Sequence, residues 1–275
     1  MKRRKRVAAG LIAAALAGAV GFSLLPIAWV LSTSVKLPRD FYASPPMWIP
    51  PHPTFAHYTA LFSDYNAGDY YRNTLIVALG NTLLMLVIGI PAAYAVARYR
   101  VGGVALPFWM LVQRMLPPVA GLIPLFLIFQ RFRFIDTYGG LILAYGAFNL
   151  PVAVWMLIGF FREFPEDLQD AAMVDGCSEL GAIRRILLPL LAPAIAVVAL
   201  FLFTFAWNEL LFPLILSGTS TKPIMLLFVS LLQSPTGLLF GEAAGAVAIS
   251  IIPAYSLALF FQRYLVRGLT QGALR

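Results

Sequence analysis

Six stretches of this chain are apolar for long enough to cross a bilayer, and they constrain its fold more than any other feature. A helix needs about 20 mostly apolar residues to span the hydrocarbon core. The stretches are Val7–Ser32, Asn73–Ala97, Val104–Phe129, Tyr138–Phe161, Leu190–Ser217 and Leu239–Leu265. With a mean hydropathy of +0.83 and only 12% charged residues, the chain falls in the polytopic membrane class. The pattern predicts an all-α protein with six transmembrane helices. The first stretch follows the basic run Lys2–Arg6 and contains Ala13-Ala14-Ala15, which could be taken for a signal-peptide cleavage region. Its apolar run is too long for that, and Trp29 near its far end suits an interfacial anchor, so a retained helix is expected.

Orientation follows from the basic residues. With the N-terminus inside, 13 of the 20 lie in cytoplasmic segments, 6 lie outside, and Arg114 falls within the third stretch. Both termini and the segment 162–189 are then cytoplasmic. The expected division is a basic N-terminus 1–6, a transmembrane domain 7–265 that includes the loop 162–189, and a tail 266–275. Segment 33–72 is rich in proline and tyrosine and reads as an ordered outer loop with a short helix near Tyr58–Phe62. No period of 20 to 50 residues repeats, and the halves carry no matched broken helices, so one membrane domain is expected.

Several function classes are disfavoured. The net charge of +8 sits at the flanks of apolar runs and not on an aromatic-interleaved stripe, which argues against nucleic acid. Cys177 is the single cysteine, and His52 and His57 alone make a metal site unexpected. A phosphate-binding loop needs Gly-Lys-Ser/Thr, yet none of Lys2, Lys5, Lys36 and Lys222 follows a glycine. No nucleophile–base pair appears in the spans, so the expectation is a chain that is not an enzyme and binds no cofactor.

The polar insert between the fourth and fifth stretches is the second informative feature. Six of the 12 acidic residues lie between Glu163 and Glu179. Pro165 suits a first helical turn, and Glu166 and Asp167 complement a helix N-terminus. Leu168, Ala171 and Ala172 would share one face of a short helix. Gly176 is placed to end that helix, Ser178 to cap a second one bearing Leu180, Ile183 and Leu187, and Pro189 to close it. From these residues alone, a hairpin lying on the membrane surface and a hairpin docked on a soluble partner are both open.

The spacing of Asp170-Ala171-Ala172, Gly176 and Ile186-Leu187-Leu188-Pro189 resembles the EAA loop of permease subunits in bacterial ABC importers, with Asp170 in place of the usual glutamate. Arg114-Met115-Leu116-Pro117-Pro118 with Ile123-Pro124-Leu125-Phe126, Asp136-Thr137-Tyr138, Trp207-Asn208-Glu209-Leu210 and Phe212-Pro213-Leu214 are similar to the smaller permease of the maltose-type carbohydrate branch. The likeness extends from about Phe22 to the tail Arg267–Ala273, where Gln271 stands in a position usually held by a small residue.

That resemblance implies a type I ABC importer transmembrane domain in a bacterial inner membrane. It also implies a second, different permease, two ATPase subunits carrying ATP and Mg, and an extracytoplasmic binding protein. It assigns Asp170, Ala171, Ala172, Asp175, Gly176, Ile186, Leu188 and Pro189 to ATPase coupling. It assigns Gly268, Leu269, Thr270, Gln271 and Gly272 to an ATPase-contacting tail. Arg114, Pro117, Pro118, Asn208 and Glu209 would lie along the translocation path of a carbohydrate or polyol. Intramembrane ionisable groups are functional candidates in their own right, here Arg114, Glu209 and Glu242, with Asn81, Gln113, Asn149 and Asn208 as polar candidates. For Asn81 and Asn149, hydrogen bonding between helices is the competing role. An ion-coupled secondary transporter drawing on Glu209 or Glu242 is the alternative function.

Overall fold

In the computed structural model, residues 2–164, 167–234 and 239–272 are described, with side chains described within 10–262. The described residues form helices and turns, in the order α1 (Lys2–Thr33), α2 (Ala56–Ser63), α3 (Ala67–Tyr99), α4 (Ala105–Met115), α5 (Pro118–Arg131), α6 (Tyr138–Glu163), α7 (Asp167–Val174), α8 (Glu179–Ala182), α9 (Leu188–Trp207), α10 (Leu211–Leu216), α11 (Ile224–Leu232) and α12 (Phe240–Gly272). Among the described residues, five helices are long and apolar enough to cross a membrane: α1, α3, α6, α12 and the run Glu179–Trp207; α4 and α5 make a sixth span if their bent pair counts as one.

Two expected spans are broken. The stretch Val104–Phe129 is bent by 94° between α4 and α5. Leu116 and Pro117 are extended, with ψ of 133° and 122°. A residue preceding proline is sterically barred from the α region, and here two such residues follow one another. Pro118 then starts α5, where a missing N–H costs nothing. The stretch Leu190–Ser217 ends as a helix at Trp207 and resumes only at Leu211. Had it continued, Pro213 would have supplied no N–H to the carbonyl of Glu209; in the first turn of α10 none is required. Helix α11 was not anticipated, since 9 residues are too few to register as a span.

The chain divides into two units, residues 1–68 with 227–252 and residues 69–226 with 253–275. In the first unit the segment after α1 is ordered by buried polar groups. The ammonium of Lys36 lies 3.7 Å above the ring of Trp29, and Trp29 meets Trp48 edge-on at 5.1 Å. Burial pushes the Lys36 ammonium below its usual range, opposed by nearby Asp40. The buried imidazole of His57 is held by the Lys36 carbonyl at 2.8 Å from Nε2 and by Glu242 Oε1 at 3.0 Å from Nδ1. Glu242, a candidate for ion coupling by sequence, is therefore engaged in a hydrogen bond to His57 within this unit.

Gly241 and Gly245 give α12 a surface for close packing. Helix α2 uses that surface: a Cβ on Gly241 would lie 2.3 Å from His57 Cε1, and one on Gly245 3.2 Å from Leu61. Because two hydrogen bonds fix the His57 ring, Gly241→Ala should destabilise the protein by about 1–3 kcal/mol, the usual cost of overpacking. A thermal-shift measurement in detergent checks this, with Gly10→Ala, whose Cβ meets nothing within 4 Å, as the neutral comparison.

The second unit holds two apolar cores. One joins α3, α6 and α9 through Tyr94, Leu157, Phe161, Leu187 and Leu202. The other joins α3, α6, α9 and α10 through Val77, Leu141, Tyr145, Phe203, Trp207 and Phe212. Asn149 donates to Asn81 at 2.9 Å, and Asn81 donates to the carbonyl of Ile142 at 2.9 Å. These two amides link α3 to α6, the interhelical role expected of polar groups in lipid.

Candidate functional site

The polar insert is a helical hairpin. Its expected start at Pro165 and Glu166 lies outside the described residues. Helix α7 ends in a Schellman motif: Gly176 N–H donates to Met173 O at 3.0 Å and Cys177 N–H to Ala172 O at 3.0 Å. Gly176 sits at φ +87°, the left-handed conformation glycine adopts without a Cβ penalty. Ser178 Oγ then accepts from Gly181 N–H at 3.2 Å and caps α8.

Pro189 does not close this second helix, contrary to expectation. The chain passes from α8 through a π-helical turn, Ile183–Leu187, directly into α9. Leu188 N–H bonds to the carbonyl of Ile183, five residues back, and this wider turn relieves the clash a proline ring otherwise makes with the carbonyl four residues earlier. The hairpin is therefore continuous with a membrane span.

Of the three residues expected to share one face of α7, Leu168 and Ala171 are exposed and Ala172 is buried. Gln169 and Ala172 are buried, while Leu168, Ala171, Met173 and Val174 are exposed beside Asp167, Asp170 and Asp175. The phenol of Tyr94 on α3 organises the inner side: it donates to Glu179 Oε1 at 2.9 Å and accepts from the Gln169 amide. Tyr99 also donates to Glu179. Of the motif's later residues, Leu187 is fully buried, Ile186 and Leu188 are half-buried, and Pro189 is exposed. Tyr94, Gln169 and Glu179 were not singled out by sequence. They meet across 75 and 85 residues of chain, and no local pattern signals such a contact.

The two broken spans meet at Phe148 in α6. Pro151 leaves the Ala147 carbonyl without its helical donor, and Gln113 Nε2 approaches that oxygen at 3.4 Å. Arg114 donates to the Phe148 carbonyl at 2.7 Å while its guanidinium lies 4.9 Å from the centre of the Phe205 ring. The Phe148 ring packs at 5.1 Å against Phe212, whose N–H donates to Glu209 Oε1 at 3.4 Å. Glu209 also accepts from Leu211 N–H at 2.8 Å, so its carboxylate caps α10. Asn208 Nδ2 donates to the Thr204 carbonyl at 2.8 Å and finishes α9. The structure thus joins Arg114 and Glu209 through one aromatic pair, while Pro117 and Pro118 make the bend.

Asp136 has a larger role than opening a helix. Thr137 is the cap of α6, accepting from Gly140 N–H at 3.0 Å. Asp136, at φ +55°, accepts from the backbone N–H groups of Gly218, Thr219, Ser220 and Thr221 and from Thr221 Oγ1, at distances of 2.8–3.2 Å. Burial pushes this carboxyl up, but the hydrogen bonds outweigh it and hold the group well below the usual carboxylate range. On the carbonyl side of the same loop, Asn73 Nδ2 donates to Ser220 at 3.1 Å and Lys222 at 3.2 Å. The tail residues Gly268, Leu269, Thr270, Gln271 and Gly272 continue the backbone of α12; their side chains, and residues 273–275, lie outside the described residues.

A helical membrane domain with broken spans and an exposed hairpin continuous with one of them defines a multi-pass membrane transport component. Residues 85–271 match the family described as "Binding-protein-dependent transport system inner membrane component", and the chain belongs to that family. It is 39% identical over 267 residues to the "Trehalose transport system permease protein SugB" of Mycobacterium tuberculosis, covering 93% of this chain and 94% of that one. It is 34% identical over 253 residues to the "Sulfoquinovosyl glycerol transport system permease protein SmoH" of Agrobacterium fabrum, covering 92% of this chain and 89% of that one. The fold is shared with the chain of a solved bacterial ABC transporter involved in the import of the acidic polysaccharide alginate, at TM-score 0.76 and 21% identity over 95% of this chain and 98% of that one. The protein is accordingly a transport component of an inner membrane that works with partner subunits and a binding protein, and is not an enzyme. Family membership sets aside the ion-coupled alternative.

Proposed function

We propose that this chain is one of two different permease subunits of an ATP-driven ABC importer for a carbohydrate or polyol. Both termini and the hairpin face the cytoplasm. Two ATPase subunits, which hold ATP and Mg, dock on the two permeases, and an extracytoplasmic binding protein delivers the solute. The observation that carries this reading is the hairpin itself. Its outer face offers Leu168, Ala171 and Val174 within an acidic rim, and its inner side runs without interruption into α9. A push on α7 therefore reaches the packed core through Ala172, Tyr94 and Leu187 and alternates the access of the helices. Arg114, Pro117, Pro118, Asn208 and Glu209 lie along the path at the two breaks. The solute class rests on the relatives, which are named for trehalose and sulfoquinovosyl glycerol.

Deleting Asp170–Gly176 should leave the subunit inserted in the membrane and abolish co-purification of the ATPase, whereas Glu209→Gln should leave that association intact. Normal recovery of the ATPase with the deleted chain would sink the coupling assignment. Uptake that persists without ATP and follows a proton gradient would overturn the energetic one.

A further inference from the structure

We propose that the cavity at the ends of α3, α4 and α6 seats the phosphodiester headgroup of an anionic phospholipid. The cavity measures about 510 Å³ and is lined by Arg98, Arg100 and Arg162, with Gly103, Val104 and Phe161 completing its wall. Three arginines thus line one space, and no carboxylate lines it among the described residues. Guanidinium forks match the oxygens of a phosphodiester in pairs, which an ammonium cannot do.

The turn that carries Arg100 is tightly made. Gly103 N–H donates to the Arg100 carbonyl at 2.9 Å, with Arg100 at φ +52° and Gly102 at φ +72°. A Cβ on Gly102 would lie 2.5 Å from that of Leu106, so the turn holds Arg100 close against the start of α4. Basic pockets between membrane helices at the aqueous boundary attract anionic headgroups, each cation strengthening the binding.

The apolar surface next to the cavity favours a lipid over a free anion. Val104, Phe108 and Met115 are 86%, 60% and 82% exposed. Spaced at i, i+4 and i+11, they fall within a narrow stripe of one helical face that starts at the cavity wall. Eleven residues of helix rise about 16 Å, close to half of a hydrocarbon core of about 30 Å. One acyl chain of the adjoining leaflet has the length and chemistry to cover that stripe while its headgroup meets the arginines. A soluble phosphate would leave the stripe uncovered.

Native mass spectrometry of the full chain, released from micelles doped with phosphatidylglycerol or phosphatidylcholine, tests this. The wild type should retain phosphatidylglycerol selectively, and a large excess of inorganic phosphate should not displace it. Arg100→Gln with Arg162→Gln should lower its occupancy about 25-fold, roughly fivefold for each charge removed. Val104→Glu, which keeps all three arginines and places a carboxylate at the wall, should also expel the lipid. Arg131→Gln with Arg133→Gln, an equal loss of charge at the end of α5 and just past it, should retain it. Displacement by inorganic phosphate would overturn the lipid in favour of a free-anion site, and equal retention of phosphatidylcholine would overturn the selectivity for an anionic headgroup. Equal loss in both arginine pairs would reduce the effect to general charge attraction and overturn the site.

Discussion

Replacing Asp136 with alanine should lower the stability of the folded chain by about 3 kcal/mol, a large loss for one surface-proximal carboxylate. Five donors on residues 218–221 converge on this group. Thr219 and Ser220 are exposed, so water can take over their N–H groups once the carboxylate is gone. Thr221 is buried, and both its N–H and its hydroxyl would be left without an acceptor, which sets most of the cost. Loss of the loop should also disturb α11, because Ile224 N–H donates to Thr74 Oγ1 at 2.7 Å from the same connection.

The pH dependence has a definite sign. The folded-state carboxyl is depressed from its ordinary value of 3.8, so its contribution is complete above about pH 4 and is lost as pH falls below that value. The difference in melting temperature between wild type and Asp136→Asn should stay constant from neutral pH to about pH 5 and shrink only in more acidic buffer. A difference that collapses near pH 6 would assign the effect to another group.

The second large effect concerns the outer face of α7. Val174, 87% exposed, should lose ATPase association by tenfold or more when changed to aspartate. Burying one valine is worth about 1.5–3 kcal/mol, and a carboxylate placed in the same contact must also be desolvated. The melting temperature should barely move, since the side chain touches little of its own subunit. Ala172→Leu should behave in the opposite way. That methyl is buried on the inner side of the helix, so the larger residue strains the packing by about 1–3 kcal/mol and lowers stability first. Co-purification assays and thermal shifts on both variants separate the two faces. If Val174→Asp were as destabilising as Ala172→Leu, or bound the ATPase normally, the outer face would not be the docking surface.

Much of the fold was legible in the residues. Apolar runs of span length set the membrane helices, and Gly176 and Ser178 marked the hairpin's turn at the positions the structure uses. The sharp bend of 94° falls where Pro117 and Pro118 adjoin Arg114. Which side of α7 is buried was not legible, because an eight-residue helix with apolar residues on both sides has no single periodic stripe. Likewise Pro189, an expected terminator, is carried through by a π turn that propensity does not foresee.

By itself, then, the sequence determined the helical membrane class and the hairpin, because each depends on residues close together in the chain. Only the tertiary structure decided which side of the hairpin is buried, and that Tyr94 anchors it. The same holds for Phe148 joining the two breaks and for Asp136 holding a loop more than 80 residues away. Those outcomes depend on hydrogen bonds and packing between distant segments. A buried donor or acceptor must find a partner wherever the fold brings one, and local spacing carries no record of where that will be.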